Sequence, residues 1–157
     1  MELRQEESVH QQLMDEVYDK WRNNKNWDYN DFVGELGIKH ALAVLTGNLN
    51  YQVENGGFSQ WHFNEYSSEA QKLLTLLSFY KKEPVVAEVI RLVEKAVRII
   101  DKYESEIVRV RSQWDYDDEE IEELENEMQD KLDELDDKYY KINDEFMKVM
   151  EKILSNM

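Results

Sequence analysis

Apolar residues recur along this chain at the three-to-four spacing of helices rather than the alternation of strands. Val9, Leu13, Val17 and Trp21 stand four apart and predict a first helix, ended by the run Asn23, Asn24, Lys25, Asn26. A second helix is predicted from Asn30 or Asp31, carrying Phe32, Leu36, Leu42, Leu45 and Leu49 toward Glu54. Asn55-Gly56-Gly57 is expected to end it and turn the chain sharply, because consecutive residues tolerant of positive φ stop a helix. Ser68-Glu69-Ala70-Gln71 has the form of a capping box, opening a helix through Leu73, Leu74, Leu77 and Tyr80. Glu83-Pro84 closes that helix, and Pro84 suits the first position of the next, whose apolar positions Val86, Ile90, Val93, Val97 and Ile100 run on past Ile107.

The last stretch carries Ile121, Leu124, Met128, Leu132, Leu135, Tyr139, Ile142, Phe146, Val149 and Ile153, a strict heptad from Leu132 onward. Two steps of four, Leu124 to Met128 to Leu132, break the register and predict a stutter or a join between two helices there. The seam has two uses, joining two copies as a homodimer or packing inside one bundle. Packing inside is the default for so short a repeat. The glycines all fall between Gly34 and Gly57, and the one proline is Pro84, so nothing after it breaks a helix. The expected fold is all-α, a compact multi-helix bundle with a long acidic helix near the C-terminus, as one domain over residues 1–157.

Composition supports a folded chain: 41% hydrophobic residues sustain a core despite 34% charged ones. The absence of cysteine excludes disulfides and thiolate metal sites and fits a reducing compartment. The opening residues Met1 to Glu7 show neither a basic nor an apolar signal region, and no apolar run reaches membrane-spanning length, so a soluble cytoplasmic protein is expected.

Charge changes the picture more. Between Asp115 and Asp137 stand fourteen Asp/Glu against one lysine, Lys131, a local balance of −13 within a chain total of −16. As a helix this stretch spans about 34 Å, roughly one net charge per 2.6 Å, between the density of a single DNA strand and that of a duplex. Such a polyanion repels nucleic acid and anionic membranes and attracts basic protein surfaces. Glu127–Lys131, Glu134–Lys138, Asp137–Lys141 and Asp144–Lys148 are spaced as favourable pairs. Asp118–Glu122, Glu119–Glu123 and Glu123–Glu127 stack acid on acid.

Asn55-Gly56-Gly57-Phe58-Ser59-Gln60-Trp61-His62-Phe63-Asn64 resembles the Asn-Gly-Gly-Phe-x-Gln signature of the bacterial DNA-mimic protein family. Leu132-Asp133-Glu134-Leu135-Asp136-Asp137-Lys138-Tyr139-Tyr140 resembles its second pattern, Leu-Asp-x-x-Asp running into paired aromatics, for a likeness over roughly 32–154. The resemblance implies an all-α fold and an acidic surface that takes the place of double-stranded DNA on a DNA-binding protein. It differs from that picture in one respect: the acids crowd into a single segment.

The residue types around Asn55, Gly56, Gly57, Phe58, Gln60, Trp61 and Asn64 read as architecture, with glycines making the turn and aromatics anchoring it. Without a following Lys-Ser/Thr this is no phosphate loop. Glu7 and His10 have the Glu-x-x-His spacing of di-iron ligands, but the second motif is missing. Asp115, Asp117 and Asp118 lack the glycine and spaced glutamate of a calcium loop. His40, among Ile38, Leu42 and Val44, reads as a helix histidine with its polar atoms satisfied. No enzyme, cofactor or metal is expected, and a metal-dependent enzyme ranks last.

The expected function is binding of a basic nucleic-acid-binding protein, such as a transcription factor, through Asp115, Asp117, Asp118, Glu119, Glu120, Glu122, Glu123, Glu125, Glu127 and Asp130. The alternative is an immunity-type protein that neutralises a cationic toxin or nuclease with the same charges. The plainest alternative is a helix face kept acidic for solubility.

Overall fold

The computed structural model describes residues 8–23 and 28–157. Among them the chain forms α1 (Val9–Arg22), α2 (Tyr29–Gly34), α3 (Ile38–Phe63), a 3-10 turn (Tyr66–Glu69), α4 (Ala70–Ser78), α5 (Pro84–Arg111), α6 (Asp118–Tyr140) and α7 (Asn143–Ser155), with no strand. None of these helices is long and apolar enough to cross a membrane.

The middle of the bundle is α3. Every residue from Ala41 to Leu49 is buried, the mark of a helix covered on all sides. Around it pack α1, α4, α6 and α7, while α5 covers α4, α6 and α7. The polar residues inside this run have partners: Thr46 Oγ1 donates to the Leu42 carbonyl at 2.7 Å, and Asn48 joins Tyr18 to Tyr29. Leu132, Leu135, Tyr139 and Phe146 lie buried in the same core, so the seam is used inside the chain.

Several boundaries depart from the sequence expectation. The helix predicted from 30 to 54 is two helices, because Gly34 closes α2 and Gly37, in extended geometry, precedes α3. Two glycines within four residues make that gap inexpensive in side-chain contacts. Asp28 begins α2 instead, its carboxylate accepting from the Asn30 amide at 2.9 Å. For the first helix, Asn23 is the C-cap of α1 as predicted, while Asn24, Lys25 and Asn26 lie outside the described residues.

Asn55-Gly56-Gly57 breaks the helix as expected: Gly57 leaves helical geometry, at φ 78° and ψ −178°, and across this kink a second helical segment, the rest of α3, runs to Phe63. The predicted capping box is absent, since Ser68 Oγ donates back to the Glu65 carbonyl at 2.8 Å and a 3-10 turn leads into α4. That helix stops at Ser78, short of Tyr80. Pro84 does stand at the start of α5, which runs to Arg111.

No join interrupts Leu124 to Leu132, which lie within the single helix α6. The join comes at Lys141–Ile142, and it rotates the buried stripe by one residue, so that Asn143, Phe146, Met150 and Leu154 face inward in α7. Ile142, Val149 and Ile153 are only half-buried. None of the four predicted acid–lysine pairs closes to ion-pair distance; Lys131 reaches forward to Glu134 at 3.8 Å.

Candidate functional site

The acidic stretch begins with a cap. The Asp117 carboxylate accepts from the Glu119 amide at 2.9 Å, and Asp118, Glu119 and Glu120 fill the first turn, where the helix dipole favours negative charge. Ile121, Met128, Leu132, Leu135 and Tyr139 bury one stripe of α6 against α5 and α3. That stripe fixes what must face water. At 3.6 residues per turn, Glu120, Glu127 and Glu134 recur along one flank, while Glu119, Glu123 and Asp130 form the crest. Asp118, Glu122 and Glu125 run along the other flank, about one helix diameter, roughly 10–12 Å, away.

Of the ten residues predicted to bind a partner, Asp115, Asp117, Asp118, Glu119, Glu120, Glu122, Glu123, Glu127 and Asp130 are exposed. Glu125 is half-exposed and pairs with Arg111 at 3.6 Å. Arg109 hydrogen-bonds Glu106 on its own helix, which raises its pKa, with a smaller contribution from Glu120. Among the described residues, no other ion pair touches the ten.

The last acids of the stretch do something different. Asp136 is half-buried and accepts from the Phe58 amide at 2.9 Å, the amide freed by the Gly57 kink. Desolvation pushes its carboxyl up to about 6, against the opposing pull of that hydrogen bond. Asp133 accepts from Ser59 Oγ at 3.4 Å. The two motifs singled out in the sequence therefore meet in space, the Leu-Asp-x-x-Asp carboxylates bracing the Gly-Gly-Phe kink. Phe58 and Trp61 are buried beneath it, and Phe58 meets both Trp61 and Tyr139 edge to face. Gln52 accepts from both Gln60 Nε2 at 3.0 Å and Asn64 Nδ2 at 2.8 Å, while Asn55 donates to the Tyr51 carbonyl at 2.8 Å.

The histidines are likewise engaged. His10 Nε2 lies 3.2 Å from Thr46 Oγ1, and burial lowers its pKa despite Glu151. His40 lies 2.6 Å from Glu16, and His62 lies between Ser67 at 2.7 Å and Glu104 at 2.9 Å. The Glu7 partner proposed for His10 lies outside the described residues. Among the described residues no group of three or more His, Asp or Glu is placed to hold a metal ion, Asp115, Asp117 and Asp118 included.

Two features escaped the sequence reading. Trp114, at the head of the acidic stretch, is 100% exposed, and Tyr116 is 45% exposed; neither belongs to any apolar period. Glu69, read only as part of a capping box, is buried in the wall of an open cavity of about 830 Å³.

These features define an all-α protein whose anionic helix is held outward by its own apolar stripe. The chain belongs to the DMP19-like protein family, whose model matches residues 34–156. The match takes in α3 to α7 and leaves out α1. No curated protein and no solved structure matches the chain.

Proposed function

We propose that this protein binds a basic nucleic-acid-binding protein, such as a transcription factor, through the outward carboxylates from Asp115 to Asp130, and so competes with DNA. One observation carries the reading: of ten acids in that stretch, only Glu125 closes an ion pair among the described residues, and Glu120 alone of the others acts on a nearby cation, Arg109. Like charges left uncompensated cost helix stability, so the arrangement favours a cation that arrives from elsewhere. Membership of the DMP19-like family supports the same reading. Trp114 and Tyr116 add exposed aromatic anchors beside the charges, the residue types that dominate binding energy at interfaces. The mechanism is displacement: phosphate contacts supply much of a DNA-binding protein's affinity, and carboxylates on both flanks of α6 occupy the same lysines and arginines.

The test is capture of partners on the immobilised protein, with and without duplex DNA as competitor, beside a variant with Glu119, Glu120, Glu122 and Glu123 replaced by Gln. Release by duplex DNA and by moderate salt, and loss in the variant, are expected. Partners indifferent to both would remove the acidic surface from consideration.

A further inference from the structure

The cavity bounded by α1, the 3-10 turn and α5 holds a buried acid, Glu69, with no hydrogen-bond or ion-pair partner among the described residues. Glu69 is only 9% exposed, yet its carboxyl forms no hydrogen bond or ion pair with any described residue. No buried side-chain oxygen is left without a hydrogen bond, so the unpaired carboxyl oxygens must reach the cavity itself. The cation that most influences it, Lys72, is committed elsewhere, its Nζ donating to the Val33 carbonyl at 2.7 Å.

The walls around Glu69 are aromatic and fixed. Trp21 meets Tyr29 edge to face at 5.2 Å between centroids, and Tyr29 meets Tyr66 likewise at 6.4 Å. Tyr18 donates to Asn48 Oδ1 at 2.8 Å, and Asn48 Nδ2 donates to the Tyr29 hydroxyl at 2.9 Å. Asp28, Glu65 and Asp101 also line the space, and among the described residues no lysine or arginine does. Burial, with Glu69 nearby, raises the pKa of Tyr29 and Tyr66, and burial raises that of Glu69 itself to about 7. An anion is therefore unwelcome there. A cation would meet one desolvated carboxyl in a space lined by Trp21, Tyr29 and Tyr66, residue types that attract cations.

We propose that this cavity is a binding site for a small organic cation, an alkylammonium or guanidinium compound, held by the Glu69 carboxyl and flanked by Trp21, Tyr29 and Tyr66. The cation supplies the donors that Glu69 lacks, and its apolar stem lies along the rings. This site is separate from the acids of α6 and does not depend on the proposed competition with DNA.

Calorimetric titration with agmatine, which carries one ammonium and one guanidinium, tests it on three proteins. The unaltered chain is expected to bind one equivalent saturably. Glu69→Gln, an isosteric change whose fold is checked by circular dichroism, is expected to weaken binding about tenfold or more. The variant with Glu119, Glu120, Glu122 and Glu123 replaced by Gln is expected to bind as the unaltered chain does. Asp101→Asn, from the α5 side of the lining, gives a second reading and is expected to weaken binding less than Glu69→Gln. No saturable binding, equal binding by Glu69→Gln, or loss confined to the α6 variant would overturn the proposal. Tighter binding of N-acetyl-arginine amide than of agmatine would overturn the assignment to a free small molecule and give the cavity to an arginine of a partner protein.

Discussion

The Phe58 amide donates to Asp136 Oδ1 at 2.9 Å, tying together residues 78 positions apart and anchoring the acidic helix to the kink in the central one. Removing the acceptor strands a half-buried donor. Asp136→Ala should therefore lower stability by about 1–3 kcal/mol, whereas Asp136→Asn, which keeps an oxygen to accept the bond, should cost much less. Urea denaturation of the two variants decides it; equal losses would mean that this bond does not hold the kink.

Gly57 and Gly56 should respond differently to alanine. At Gly57 the backbone is at φ 78° and an added Cβ would lie 2.0 Å from Asp136 Oδ2, so both backbone and contact object. The backbone strain alone is about 1–3 kcal/mol. At Gly56 the backbone is helical and the obstacle is Gln60, whose amide end can swing away at the cost of its bond to Gln52, about 0.5–1.5 kcal/mol, while its Cβ, 2.8 Å from the added one, asks a small backbone shift as well. Thermal melts of the two single variants should show Gly57→Ala clearly the less stable.

Glu69 and Asp136 give a pH dependence of known sign. Their folded pKa values, about 7 and about 6, lie above the ordinary values of 4.5 and 3.8, so the folded state holds protons that the unfolded state releases. Stability contributed in this way is fully present below the unfolded values and is lost as pH rises through the folded ones. Repulsion within α6 acts in the same direction. The double variant Glu69→Gln, Asp136→Asn isolates the two groups, and its urea midpoint should fall less between about pH 5 and about pH 8 than that of the unaltered chain.

Glu123 stands four residues from both Glu119 and Glu127, beyond the first turn, where the dipole no longer compensates it. Replacing it by Gln should raise stability by roughly 0.4–1 kcal/mol at low ionic strength, the sum of two like-charge contacts. Between about 0.02 M and about 0.5 M salt the gain should shrink, because screening already removes the repulsion in the parent. A gain that persists at high salt would point to a cause other than charge.

Helix content and the main core positions were legible because burial enforces a period: Leu13, Val17, Val86, Val93, Leu132 and Tyr139 all face inward. The joins were not, because they depend on what a kink finds nearby. Gly57 was legible as a helix breaker, but that the chain resumes as helix straight after it was not, since the Phe58 amide freed there is taken up by Asp136, 78 positions away. Asp136 was hidden inside a charge count, although it falls four residues after Leu132 and three before Tyr139, on the margin of the buried stripe. The outward acids could be read directly, since a stripe of apolar residues leaves them nowhere else to point. Glu69 could not, because its isolation depends on α1, α3 and α5 folding around it.

Both carboxylate oxygens of Glu151, in α7, accept from α1, one from the Val9 amide at 2.6 Å and the other from the His10 amide at 3.0 Å, across 142 and 141 positions of chain. During synthesis, then, the opening helix leaves the ribosome long before the group that completes its cap exists. Final closure of the bundle must wait until α7 has been translated, and a ribosome paused ahead of the Glu151 codon would carry a nascent chain whose α1 lacks two of its amide acceptors.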